Sequence, residues 1–128
     1  MGKPDKLTAL ELDIMKVLWE CGPANVQTVQ QKLPRPLAYT TVQTMLNILL
    51  RKGKAKRSLK DRAYFYRPAV TQAQVVRQTV SDVVDRLFGG SAEDLVMSLV
   101  ETRQLTPEQF ARLEKAVRKA EVKDHDKH

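Results

Sequence analysis

From residue 7 onward the apolar positions recur mostly at helical spacing, and the exceptions fall in one short segment. Leu7, Leu10, Ile14, Val17 and Leu18, with Trp19 alongside, mark an amphipathic helix. It opens on a capping box, Thr8-Ala9-Leu10-Glu11, in which the Thr8 hydroxyl accepts from the Glu11 amide and the Glu11 carboxylate reaches back to the Thr8 amide. Leu7 and Leu12 have the spacing of a hydrophobic staple, and Gly22-Pro23 ends the helix. A short helix follows from about Asn25 to Lys32, with Asn25 as N-cap and Val26, Val29 and Leu33 inward. The prolines of Leu33-Pro34-Arg35-Pro36 break it. In Leu37–Gly53 the residues Val42, Met45, Leu46 and Leu49 gather within about a quarter-turn, which predicts a longer third helix. The pattern then changes period. Lys54–Leu59 and Ala63–Arg67 alternate in strand fashion around the turn Lys60-Asp61-Arg62, and Tyr64, Phe65 and Tyr66 read as hairpin packing.

After Pro68 the helical period returns. Thr71-Gln72-Ala73-Gln74 is a second capping box, followed by an apolar face of Val76, Val80, Val83, Val84 and Leu87 that ends at Gly89-Gly90. Ser91-Ala92-Glu93-Asp94 starts a helix with Leu95, Val96, Leu99 and Val100 inside. Thr106-Pro107-Glu108-Gln109 starts the last one, with Pro107 at the first helical position, a Leu105–Phe110 staple, and Leu113 and Val117 continuing the stripe. Striped helices totalling roughly 50 residues are too few to close a core alone, which two copies could do together. Val76, Val80, Val83, Leu87, Leu95, Leu99, Phe110, Leu113 and Val117 are therefore the expected dimer interface, with packing onto the first domain as the alternative. The fold class predicted is mainly α with a small β-hairpin. A winged helix-turn-helix spans residues 1–68 behind a polar arm at 1–6, a three-helix dimerisation domain spans 69–122, and a disordered polar tail spans 123–128.

The polar face of the third helix changes the picture. Thr40, Thr44, Asn47 and Arg51 lie opposite the apolar stripe, and a merely solvated face would more often be Glu and Lys. Short donors and acceptors ending in a cation suit a helix laid in a DNA major groove. The charge agrees: between Arg51 and Arg67 stand eight cations against Asp61, so this stretch carries the whole net excess of +7. Excess concentrated in this way points to a polyanion. The expected partner is double-stranded DNA, bound by a homodimer at a symmetric site. Thr40, Thr41, Gln43, Thr44, Asn47 and Arg51 are the expected DNA-binding residues of the recognition helix, and Lys54, Lys56, Arg57, Lys60 and Arg62 of the wing would touch phosphates. A winged helix used as a protein adaptor is the competing reading, and it would call for an apolar or acidic face on the third helix.

Enzyme chemistry has little support. There is no glycine-rich phosphate loop, His125 and His128 sit together in the polar tail, and Cys21 is the single cysteine. No catalytic residue, cofactor or metal site is expected. No apolar run approaches the roughly 20 residues of a membrane span, so a cytoplasmic protein without membrane insertion is expected.

Taken in order, these residues resemble the penicillinase-repressor family (BlaI/MecI/CopY) over nearly the whole chain. The resemblance runs from Glu11, Met15 and Trp19 of the first helix through Tyr39-Thr40-Thr41-Val42 to Arg51-Lys52-Gly53. It continues through Tyr64-Phe65-Tyr66-Arg67-Pro68 and Phe88-Gly89-Gly90 to Leu105-Thr106-Pro107-Glu108. It implies a winged helix, C-terminal dimerisation and repression by occupying a palindromic operator. It also implies a membrane sensor-protease that cleaves an Asn-Phe bond in the helix after Gly-Gly, where this chain has Ser98 and Leu99. Two more departures stand out. Gln43 and Ile48 occupy positions that often carry cations in the family, and Gln43 suits adenine better than guanine. The paired Cys-x-Cys motifs of the copper-responsive branch are missing, which argues against copper sensing.

Overall fold

The structure, a computed structural model, describes residues 6–126, with side chains described through residue 123. Among the described residues the order is α1 (Ala9–Cys21), α2 (Val26–Lys32), α3 (Tyr39–Arg51), β1 (Ala55–Lys60), β2 (Ala63–Pro68), α4 (Gln72–Leu87), α5 (Ala92–Glu101) and α6 (Pro107–Asp126). Helix, helix, helix and antiparallel hairpin, with α3 leading into the strands, is a winged helix followed by a helical segment. The fold class matches the expectation.

Each expected cap forms. Thr8 Oγ1 accepts from the Glu11 amide at 3.1 Å while Glu11 Oε1 accepts from the Thr8 amide at 2.8 Å. Thr71 with Gln74 and Thr106 with Gln109 repeat that reciprocal pairing. Asn25 and Ser91 each accept an amide three residues on. These bonds satisfy N–H groups that a helix start leaves without intrahelical partners.

The core of the first unit is aliphatic. Ile14, Met15 and Leu18 of α1, Val29 of α2, and Val42, Leu46 and Leu49 of α3 are completely enclosed, and Tyr66 of β2 closes one side. Leu7 and Leu10, expected on the inner stripe, are only half-buried, and Met15 takes the interior position. The loop after α1 joins the hairpin edge: Ala24 N donates to Tyr66 O at 3.0 Å and Tyr66 N donates to Ala24 O at 2.8 Å. That pair gives β2 a partner on its second edge.

Glu11 is the buried charge. It is 2% exposed, and besides capping α1 its Oε1 accepts from Lys52 Nζ at 2.7 Å, just past the end of α3. Lys52 Nζ also donates to the Lys6 carbonyl at 3.0 Å. Burial alone would push the Glu11 carboxyl up, but the Lys52 ammonium and the bonds from Thr8 outweigh it and hold the pKa below its ordinary value.

The chain divides into two compact units, Met1–Gln78 and Thr79–His128. Within the first, Val70 packs against the core and its carbonyl accepts from the Trp19 indole N–H at 3.0 Å. At the other end α6 continues to Asp126, so the tail expected from residue 123 is helical for as far as it is described. Past Pro107 there is no Gly or Pro to stop it, and Glu114 and Arg118 pair at 3.6 Å across one turn. Residues 1–5 of the expected arm, and Lys127 and His128 of the tail, lie outside the described residues.

Among the described residues, the helices that follow the hairpin hold no fully buried side chain. Val83, Leu95 and Leu99 are half-buried, while Val76, Val80, Leu87, Phe110, Leu113 and Val117 are exposed, from 44% at Phe110 to 75% at Leu87.

Glu11→Ala is expected to cost about 3 kcal/mol at neutral pH, because it leaves a largely buried ammonium unpaired and removes half of a capping box. With its folded pKa below the unfolded one, Glu11 stabilises the fold above about pH 4.3. That contribution is lost as the pH falls through the lower folded value. Urea unfolding of both proteins from pH 7 to pH 3 should show the difference shrinking on the acid side.

Candidate nucleic-acid interface

The opposite side of α3 is open. With Val42, Leu46 and Leu49 locked inward, the 3.6-residue repeat turns Thr40, Gln43, Thr44, Asn47 and Arg51 to one exposed face, and Thr41 to its exposed flank. The structure thus brings together all six recognition-helix candidates. The helix opens at Ala38 with no side-chain cap, which leaves first-turn N–H groups for an external acceptor. The turn before it is fixed by Gln30 Nε2, which donates to the Leu37 carbonyl at 2.9 Å.

At its other end α3 is pinned by the Glu11–Lys52 pair. Gly53, at φ 75°, reverses the chain into β1, and Lys54 N donates to the Leu49 carbonyl at 3.0 Å. The hairpin therefore starts at the end of α3, beside Arg51.

The strand register sorts the wing cations. Arg57 lies opposite Tyr66 and Leu59 opposite Tyr64, on the face that carries the buried Ala55. Lys56 lies opposite Arg67, Ser58 opposite Phe65 and Lys60 opposite Ala63 on the other face. Lys56, Lys60 and Arg62 are exposed and Lys54 is half-buried. Arg57 is engaged within the protein. Its guanidinium donates to Asn47 Oδ1 and to Tyr66 Oη, each at 3.4 Å, and stacks over the Tyr64 ring at 3.9 Å.

Two cations of the basic stretch find their places only through the fold. Arg67, outside the expected wing set, joins Lys56 as an exposed cross-strand cation, which strand alternation together with a two-residue turn implies. Lys52 is taken up by Glu11. At the tip, Asp61 and Arg62 both have positive φ, 51° and 67°. Such a turn ordinarily calls for Asn and Gly, so Arg62 holds its place at a cost.

Ser98 and Leu99 fall in the second half of α5. The Ser98 carbonyl accepts from Thr102 N at 2.9 Å and from Thr102 Oγ1 at 2.8 Å, so cleavage between them would require the end of the helix to unwind first. Among the described residues, no group of three His, Cys, Asp or Glu side chains could hold a metal ion, and no helix is long and apolar enough to cross a membrane.

The family model described as penicillinase repressor matches residues 7–119 of this chain. The chain belongs to the penicillinase repressor family. Among its relatives, the penicillinase repressor of Bacillus licheniformis is 26% identical over 115 residues, covering 88% of this chain and 90% of that protein. Transcriptional regulator BlaI of Mycobacterium tuberculosis (strain CDC 1551 / Oshkosh) is 32% identical over 105 residues, covering 79% and 76% respectively. The solution structure of the DNA-binding domain of the repressor BlaI superimposes with a TM-score of 0.50 at 29% identity. It covers 57% of this chain and 92% of that domain. In this family member, the matched winged helix is the part of the chain that carries the open face of α3 and the cationic hairpin.

Replacing Arg62 by Gly should remove the left-handed strain and stabilise the fold by about 1 kcal/mol. Lys60→Gly, in ordinary strand geometry, should destabilise it by roughly 0.5–1 kcal/mol. Paired thermal melts read both; a lower melting temperature for Arg62→Gly would contradict the strain assignment.

Proposed function

We propose that this protein is a transcriptional repressor that binds a palindromic operator as a homodimer, with α3 in the major groove and the wing on the adjoining backbone. One observation carries the reading: the exposed face of α3 is made of Thr40, Gln43, Thr44, Asn47 and Arg51 and runs directly into a basic hairpin. A protein-adaptor use of the winged helix would call for an apolar or acidic face on α3, and this face instead carries short amide and hydroxyl groups beside concentrated positive charge. Family membership supports the same reading, since the relatives are named as repressors and the superimposed domain as a DNA-binding domain.

Contacts then divide by chemistry. Thr40, Thr41, Gln43, Thr44 and Asn47 carry groups able to read base edges, while Arg51, Lys56, Lys60, Arg62 and Arg67 address phosphates. The exposed apolar stripes of α4, α5 and α6 support dimerisation, because a second copy offers the same faces to cover them.

Binding to duplex should weaken with salt, with log K falling against log salt at a slope of about −4 to −5 for four to six phosphate contacts per dimer. A flat response would remove DNA as the partner. Arg51→Ala and Lys56→Ala should weaken all duplexes alike, whereas Gln43→Ala should change the preferred sequence. Light scattering should give a dimer mass for the native chain and a monomer mass for Val83→Glu; a dimeric Val83→Glu would count against the C-terminal interface.

A further inference from the structure

Asn47 stands near the middle of the exposed face of α3, where an asparagine ordinarily reads adenine by accepting from N6 and donating to N7. Its carbonyl is already engaged. Arg57 Nη1 lies 3.4 Å from Asn47 Oδ1, and since a guanidinium has only donors, the oxygen is the amide atom turned toward it. The guanidinium is itself held. The same Nη1 donates to Tyr66 Oη at 3.4 Å, Tyr66 is 2% exposed and fixed in the core, and the guanidinium carbon lies 3.9 Å from the Tyr64 ring centroid. One hydrogen of Nη1 serves each oxygen, leaving three N–H groups on Nη2 and Nε for a phosphate.

From this we infer that Arg57 is a positioning residue that fixes which edge Asn47 presents to DNA. With Oδ1 turned to the wing, the Asn47 NH2 group faces outward as a donor. The neighbouring positive charge opposes the approach of a second donor such as adenine N6. The base edge that fits is one that only accepts, and guanine, with O6 and N7 side by side, offers the most. Arg57 thereby links the wing to specificity, a role distinct from neutralising phosphate. The inference rests on the duplex reading proposed above.

The test is selection of bound sites from a randomised duplex pool with the full-length chain. Asn47→Ala identifies the position that Asn47 reads as the one whose preference disappears. At that position the native chain should prefer guanine. Arg57→Met keeps an unbranched stem for packing on Tyr64 but has no donor; it should move the guanine-to-adenine ratio toward adenine by about tenfold or more, at that position alone. Tyr66→Phe, which frees the guanidinium from one of its two hydrogen-bond partners and fits the same core space, should shift the ratio the same way by less, and it serves if Arg57→Met fails to fold. Lys56→Met removes the same charge from the wing and should lower recovery uniformly without changing the motif. Unchanged base preference in both Arg57→Met and Tyr66→Phe, or the same change in Lys56→Met, would overturn the positioning role while leaving DNA binding intact. A native chain that enriches no motif would overturn this role together with the operator reading.

Discussion

Glu11 joins two ends of the first unit that lie 41 residues apart in sequence. One carboxylate oxygen closes the cap that starts α1 and holds the ammonium of Lys52, just past α3. Buried carboxylates are costly unless paired and hydrogen-bonded, and this one is both. The consequence reaches the candidate interface. The C-terminal end of α3 is tied through Lys52 to the start of α1, so Arg51 and the first wing residues follow from an anchored point. From the other side, the apolar seam of Val42, Leu46 and Leu49 fixes the rotation of α3 about its axis and so decides which residues face outward.

What was readable from the sequence was what is local. The capping boxes at Thr8, Thr71 and Thr106 are bonds between residues three apart, and they sit in the sequence as recognisable tetrapeptides. The open face of α3 was readable for the same reason, since helical period alone separates Asn47 from Leu46. Contacts made across the chain were not readable. Nothing near Glu11 announces Lys52. The Ala24–Tyr66 bridge is made of backbone atoms and leaves no side-chain signature. The Trp19 indole meets the Val70 carbonyl, a partnership 51 residues long.

Charge counting located the basic stretch correctly but could not tell which cations are free. Lys52 is turned inward to Glu11 and Arg57 is spread between Asn47, Tyr66 and Tyr64, so two of the eight cations have internal work. Their assignment depends on strand register and on the end of α3, and both require the fold. Conversely Arg67, at the far end of the hairpin in sequence, becomes a neighbour of Lys56 once the strands pair.

That last pairing has a consequence for how the wing responds to its surroundings. Lys56 and Arg67 are directly opposed on an exposed face, an arrangement in which like charges repel. In the free protein, added salt screens this repulsion and steadies the hairpin. In a complex with a polyanion, the same salt competes for the two side chains and loosens the grip. Ionic strength therefore acts on one structural element in opposite directions, depending on whether it is occupied. A bound phosphate between the two cations would supply internally what the ions of the medium supply to the free wing.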